Sequence, residues 1–186
     1  MAAQATTGVS GRRGLAWVAA FLAYPAGGIA GAAVSVAAGP IAGAALAAAI
    51  IGAVQGAVLG VYTGRRTALV WIGGSAIAGG IGWAVAHALV PSTSGPASAA
   101  IVGGISGLAI GIAQAVATSG RGALRAVWVP LFTVAWAAGN AVSTAIGVDT
   151  DAWPVFGSAG AITAQVILLA GLVTSRRTAS ASEAGA

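Results

Sequence analysis

The chain has 186 residues, of which 58% are hydrophobic and only 6% are charged. A soluble domain carries about 25% charged residues, so this composition excludes an ordinary water-soluble fold and predicts that lipid is the solvent. The net charge of +5 does not indicate nucleic-acid binding, because the arginines form small separate clusters rather than a basic stripe.

Six uninterrupted apolar stretches follow one another along the chain. Each reaches the ~20 residues that a helix needs to cross a ~30 Å hydrocarbon core, and none alternates polar and apolar residues as a membrane β-barrel would. The predicted spans are Leu15–Ala37, Ile41–Tyr62, Thr67–Val90, Ser98–Ser119, Ala126–Gly147 and Pro154–Thr174. We therefore predict an all-α integral membrane protein with six transmembrane helices in residues 15–174, flanked by disordered tails at 1–14 and 175–186.

The basic residues predict the orientation of these spans. All eight are arginines, and with six spans their four clusters fall on one side of the membrane, whereas the other side holds Asp149 and Asp151. The clusters are Arg12–Arg13, Arg65–Arg66, Arg121 with Arg125, and Arg176–Arg177. Basic loops stay in the cytoplasm, so we predict a protein of the cell inner (cytoplasmic) membrane with both termini cytoplasmic. Trp17, Trp71 and Trp128, each close to an arginine cluster, are predicted to lie in the inner interfacial belt.

An internal repeat divides the spans into three units, at about 12–62, 65–119 and 121–174. Each unit contains a pair of arginines, then a tryptophan, then two helices, and the second helix carries one glutamine. A two-helix unit returns the chain to its starting side, so successive units have the same orientation and are related by an axis along the membrane normal. The sequence thus predicts three parallel-topology helical hairpins with pseudo-threefold symmetry.

The three repeated glutamines are the main candidate site residues. Arg66, Arg125 and Arg176 each follow one of them by 11 residues, about 16 Å along a helix, which predicts a common depth in the cytoplasmic half of the hydrocarbon. These glutamines are Gln55, Gln114 and Gln165. A buried amide must find a partner, so they either bond across helices as polar packing or form a polar ring that binds or passes a neutral solute.

Three further residues are secondary candidates. His87 lies near the outer end of span three, and Asn140 lies within span five as a candidate interhelical hydrogen-bonding group. Pro25 lies within span one, where proline kinks a helix. Glycines spaced four residues apart, as at Gly52 and Gly56, are typical of close helix contacts in membranes. One histidine, no cysteine and no carboxylate inside a span give no metal, cofactor or nucleophile motif, so we do not expect an enzyme.

The Gly…Gln…Arg…Trp hairpin resembles a pattern found in uncharacterised multipass bacterial membrane proteins. In this chain Gly52, Gln55, Arg66 and Trp71 carry it, and a second set repeats it. The second set is Gly111, Gln114, Arg125 and Trp128. The resemblance covers most of the chain and implies a multipass membrane protein but no particular activity.

Three functions remain open from the sequence. The repeat and the buried amides favour a permeation or transport component for a neutral or apolar solute. Small-residue helix faces would also suit a non-catalytic scaffold or accessory subunit of a membrane complex, with other membrane proteins or a second copy as partners. Binding of a lipid, quinone or pigment between hairpins is the third. All three functions imply membrane lipids as a binding partner of the chain.

Overall fold

The computed structural model describes residues 7–118 and 122–150, with the side chains of 7–22, 61–63 and 122–125 outside its description. Within this part the chain is all helical, with five α-helices and no strand. They are α1 Thr7–Ala38, α2 Pro40–Thr63, α3 Arg65–Leu89, α4 Pro96–Ala117 and α5 Gly122–Ala145. The first five predicted spans agree with these helices to within two residues at their C-terminal ends. The sixth, Pro154–Thr174, lies outside the described residues.

The N-terminal helix is longer than the sequence predicted. It begins at Thr7, so residues 7–14 are helical where a disordered tail was expected, and Arg12 and Arg13 belong to the helix. The predicted tail at 175–186 lies outside the described residues. The boundary was missed because glycine, serine and threonine have low helix propensity in isolation, whereas here they continue a long apolar helix.

Four helices of the described chain are long and apolar enough to cross a membrane. These segments are Pro40–Gly60, Arg65–Leu89, Pro96–Ala117 and Ala126–Ala145. Large aliphatic side chains lie on their outer faces, such as Ile77 at 66% and Val134 at 65% exposure. An apolar surface this extensive is unfavourable in water but suits contact with lipid. The structure is therefore that of an all-α membrane protein.

Consecutive helices pack side by side in antiparallel pairs. Contacts run from α1 to α2, α2 to α3, α3 to α4 and α4 to α5. Single glycines, Gly39 with φ 90° and Gly64 with φ 93°, join α1 to α2 and α2 to α3. Positive φ is readily adopted only by glycine, which explains how one residue suffices for each turn. Because the direction alternates, α1, α3 and α5 all begin on the same side of the bundle.

Two glycine stripes bring the successive units together. A Cβ atom on Gly56 would lie 2.8 Å from the Ile72 side chain of α3, and one on Gly107 would lie 2.6 Å from Cβ of Trp136 on α5. Each stripe lies on the second helix of one unit and faces the first helix of the next. The stripes are Gly52, Gly56 and Gly60 on α2, and Gly103, Gly107 and Gly111 on α4. They let the backbones approach closely, as the spacing predicted.

Candidate functional site

Gln55 is buried on α2 and hydrogen-bonds to the helices on both sides. It is 5% exposed. Its Nε2 donates to the hydroxyl oxygen of Tyr24 on α1 at 3.1 Å, and its Oε1 accepts from the indole Nε1 of Trp71 on α3 at 3.3 Å. One amide thus joins three helices, two from the first unit and one from the second.

Gln114 makes the same arrangement one unit further along. It is 2% exposed. Its Oε1 accepts from Nε1 of Trp128 on α5 at 3.2 Å, and its Nε2 donates to Oγ of Ser75 on α3 at 3.3 Å. The donor–acceptor scheme is that of Gln55, with serine in place of tyrosine. Both glutamines therefore bond across helices, which the sequence had given as one of their two readings.

The two tryptophans face the interior of the bundle. Trp71 and Trp128 are only 6% and 4% exposed, and their rings lie 6.3 Å apart between centroids. Their predicted depth near the inner interface stays a prediction, but the rings pack against protein and not outward. The amide oxygen of a neighbouring glutamine satisfies each indole N–H inside the bundle, so the ring gains burial without leaving a donor unpaired. Trp17 belongs to α1, but its side chain is outside the description.

A cavity of about 70 Å³ lies among the five helices. At the end near the arginines it is lined by Tyr24, Gln55, Ser75 and Gln114. Apolar side chains such as Ile110 form much of its wall, and among the described residues none that lines it is Asp, Glu, Arg or Lys. The structure thus brings two of the three predicted glutamines to one partly open space between the helices.

The opposite end of the cavity also carries polar groups. His87 lies there, with its ring stacked on Trp83 at 3.8 Å between centroids and its Nδ1 3.1 Å from the Trp83 carbonyl oxygen. Thr150, which also lines the cavity, donates to Oγ1 of Thr93 at 3.2 Å. Hydrogen-bonding groups are therefore present at both ends, with a mainly apolar section between them.

The remaining candidates have different positions. Asn140 lines the cavity, but its Nδ2 donates to the Trp136 carbonyl oxygen of its own helix at 3.0 Å, so this bond is not interhelical as expected. Pro25 lies on the exposed side of α1 and does not line the cavity. Gln165 lies outside the described residues.

Sequence reasoning missed the partners of the glutamines and one unpaired donor. Tyr24 and Ser75 were not singled out, although Ser75 lies one turn after Trp71, on the same face of its helix. Among the described residues, Nε1 of Trp136 is the buried side-chain polar atom without a hydrogen-bond partner. No pattern in the sequence distinguishes this tryptophan from Trp71 and Trp128, whose indole nitrogens have hydrogen-bond partners. The difference depends on whether the neighbouring helix places an acceptor beside the ring.

The described part of the chain holds no cluster of metal-ligating side chains. No group of three or more His, Cys, Asp or Glu side chains comes together there. Searches against family models, curated proteins and solved structures return no match to this chain. The cavity and its hydrogen-bonding groups are therefore the basis for assigning a function.

Proposed function

We propose that this chain is a six-span protein of the inner (cytoplasmic) membrane that provides a passage for a small neutral solute. The observation that carries the proposal is the cavity between the helices, which is partly open at the surface of the described bundle. All five described helices contribute to it, and polar groups at its two ends are separated by an apolar wall. Ligand sites between the helices of a bundle commonly have this composition, with a few polar groups in an apolar surface.

The lining favours a neutral solute over an ion. Its described part contains no Asp, Glu, Arg or Lys side chain, so an ion there would lose its hydration without gaining a countercharge. The loss of hydration raises the free energy of an ion strongly inside the hydrocarbon region of a membrane. The amides, hydroxyls and indole of the cavity can replace the hydrogen bonds of a neutral polar molecule at much lower cost.

The size of the cavity limits the solute further. Its volume of about 70 Å³ is roughly half of the ~150 Å³ that admits a benzene molecule in an engineered protein cavity. A solute of about three or four non-hydrogen atoms fits on that scale. The ring of a quinone or a pigment needs more room, so this cavity favours passage of a small solute over those ligands.

We extend the proposal to the third unit. Gln55 accepts from the tryptophan of the second unit, and Gln114 accepts from the tryptophan of the third. By the same rule Gln165 would accept from Trp17 of the first unit, which would close a ring of three hairpins. The two described pairs support this threefold arrangement, and the mutant cycle discussed below tests it.

Solute flux into proteoliposomes tests the passage directly. We expect purified protein to accelerate the uptake of solutes with three or four non-hydrogen atoms, measured by stopped-flow light scattering, but not of sodium or chloride. Ser106 lines the cavity, so Ser106→Leu should fill part of it and reduce this uptake at least severalfold.

The matched control is Ala57→Leu, which adds the same side chain at an exposed position of α2. This variant should retain the wild-type rate. Equal rates for empty liposomes and proteoliposomes would refute the passage, and so would equal uptake by Ser106→Leu and the unmodified protein.

A further inference from the structure

We infer that the two tryptophan–glutamine pairs fix the direction of the buried amides, which makes the cavity a site for small neutral molecules that carry a carbonyl-type hydrogen-bond acceptor. This inference rests on the proposed function, because it names the class of solute that the cavity takes. It also assigns Trp71 and Trp128 a positioning role.

The direction of each amide follows from the chemistry of its neighbour. An amide oxygen and nitrogen have nearly the same shape, and only the hydrogen-bond network distinguishes them. Indole N–H can donate but cannot accept. The amide atom 3.3 Å from the Trp71 nitrogen and the one 3.2 Å from the Trp128 nitrogen must therefore both be oxygens. In each glutamine the NH₂ group then lies on the other side.

Each NH₂ group has one hydrogen that no described residue accepts. An amide nitrogen carries two N–H donors. Gln55 uses one on the Tyr24 hydroxyl, and Gln114 uses one on Ser75. Both glutamines line the cavity, so each can offer its second N–H to a molecule within it. Their oxygens, in contrast, are already engaged by the tryptophans.

A third donor belongs to the same cavity wall. Trp136 lines the cavity, and its buried Nε1 has no acceptor among the described residues. Buried polar groups in folded proteins are almost always paired, and an exception calls for an explanation. This nitrogen is not accessible in the structure as it stands, so a solute whose acceptor atom supplies the missing partner must turn the Trp136 ring slightly toward the cavity. Two amides and one indole thus give the cavity an excess of donors.

The absence of cationic lining residues decides which acceptor is suitable. Anion sites in proteins combine N–H donors with a positive charge or a helix dipole. Among the described residues, this cavity has donors but no Arg or Lys in its lining. A neutral carbonyl oxygen, which accepts hydrogen bonds without requiring a countercharge, is the better match. Small amides, aldehydes and ketones belong to that class.

Three probes of similar size separate the possibilities. Formamide is a neutral acceptor, formate is an anionic acceptor, and propene has no acceptor. We would record the indole N–H resonances of ¹⁵N-labelled protein in nanodiscs and assign Trp136 by the signal that is lost in Trp136→Phe. Formamide should move the Trp136 proton downfield with saturation, whereas formate and propene should not. The same shift with formate or propene, or no saturating shift with formamide, would overturn the inference.

A second variant tests the positioning role. Trp128→Phe removes the indole N–H and allows the Gln114 amide to turn, so formamide affinity at the Trp136 signal should fall about threefold to tenfold, the value of one hydrogen bond. Val127→Phe adds the same ring on the exposed face of α5 and should leave the affinity unchanged. Unchanged affinity in Trp128→Phe would refute the role of the pair in orienting the amide.

The two proposals fail in different ways. Saturable binding of formamide without any flux into liposomes would leave the acceptor site in place and remove the passage. Flux that is equal for solutes with and without an acceptor would retain the passage and remove the site.

Discussion

At the scale of single residues, the hydrogen bond between a buried glutamine and a buried tryptophan links neighbouring helices. Gln114 and Trp128 are both nearly inaccessible, so neither can replace a lost partner with water. An unmatched buried donor or acceptor costs about 1–3 kcal/mol, whereas removing both partners together costs far less. The pair should therefore act as a unit when it is mutated.

A double-mutant cycle measures that coupling. Gln114→Met strands the Trp128 indole and the Ser75 hydroxyl, and should lower the free energy of unfolding by about 1–3 kcal/mol. Trp128→Phe strands the glutamine oxygen. The double variant should cost less than the two single variants combined, with a coupling of about 0.6 kcal/mol and an upper value near 1.7 kcal/mol, as for other interhelical bonds in membranes. Denaturant titration in mixed micelles, followed by circular dichroism, gives all four values.

Two further cycles complete this measurement. Leu108→Met combined with Trp128→Phe is the control, because Leu108 lies exposed on α4 and should show additive effects. Trp17→Phe combined with Gln165→Met tests the third unit, where the proposed ring predicts a coupling equal to that of the described pairs. Additivity of Trp17 and Gln165 would contradict the threefold closure.

At the scale of the helix, glycine is what allows these amides to reach their partners. Along α4 the stripe that ends at Gly111 lies against α5, and Gln114 follows it by one turn of helix. A larger residue in the stripe would push the helices apart and lengthen the hydrogen bond to Trp128. Packing and hydrogen bonding are thus coupled through the same face of α4.

Substitution of Gly107 by alanine tests this close approach. The new Cβ would lie 2.6 Å from Trp136 Cβ and 3.0 Å from the Phe132 carbonyl oxygen, so we expect a loss of about 1–3 kcal/mol from overpacking, despite the better helix propensity of alanine. Gly73→Ala is the matched control, since nothing lies within 4 Å of its Cβ position. The melting temperature in detergent should fall for Gly107→Ala alone. Equal melting temperatures would contradict close packing at the stripe.

The sequence predicted the elements well and the contacts only in part. Continuous apolar runs and glycine spacing indicate five helices and the faces that join them, because both depend on local composition. The burial of Trp71 was not predicted, since a tryptophan near arginines is also typical of an interface. Whether such a tryptophan is buried depends on whether the neighbouring helix provides a hydrogen-bond acceptor, which here is Gln55. The cavity and the unpaired Trp136 nitrogen depend on all five helices and have no local signature.

For the whole molecule, the antiparallel order of the helices constrains where the charges lie. Arg65 and Arg66 are exposed at the start of α3, and α1 and α5 begin on the same side of the bundle. The helix positions of Arg12, Arg13 and Arg125 therefore lie toward the same face of the described helices as Arg65 and Arg66. The positive-inside rule predicts that this face is cytoplasmic. A sixth span would return the C-terminus to it.

Cysteine labelling tests this topology in a chain that contains no cysteine of its own. Arg66→Cys places a single thiol at an exposed position at the start of α3, and Ser94→Cys places one in the exposed connection between α3 and α4. Ala2→Cys and Ala186→Cys place thiols near the two ends of the chain. A membrane-impermeant maleimide added to intact spheroplasts should label Ser94→Cys alone, while inside-out vesicles should expose the other three. If the chain has six spans, Ala2→Cys and Ala186→Cys must be labelled under the same conditions as Arg66→Cys, because an even number of crossings returns the chain to its starting side. Labelling of Ala186→Cys together with Ser94→Cys would instead mean an odd number of crossings, and the three hairpins would then not share one orientation.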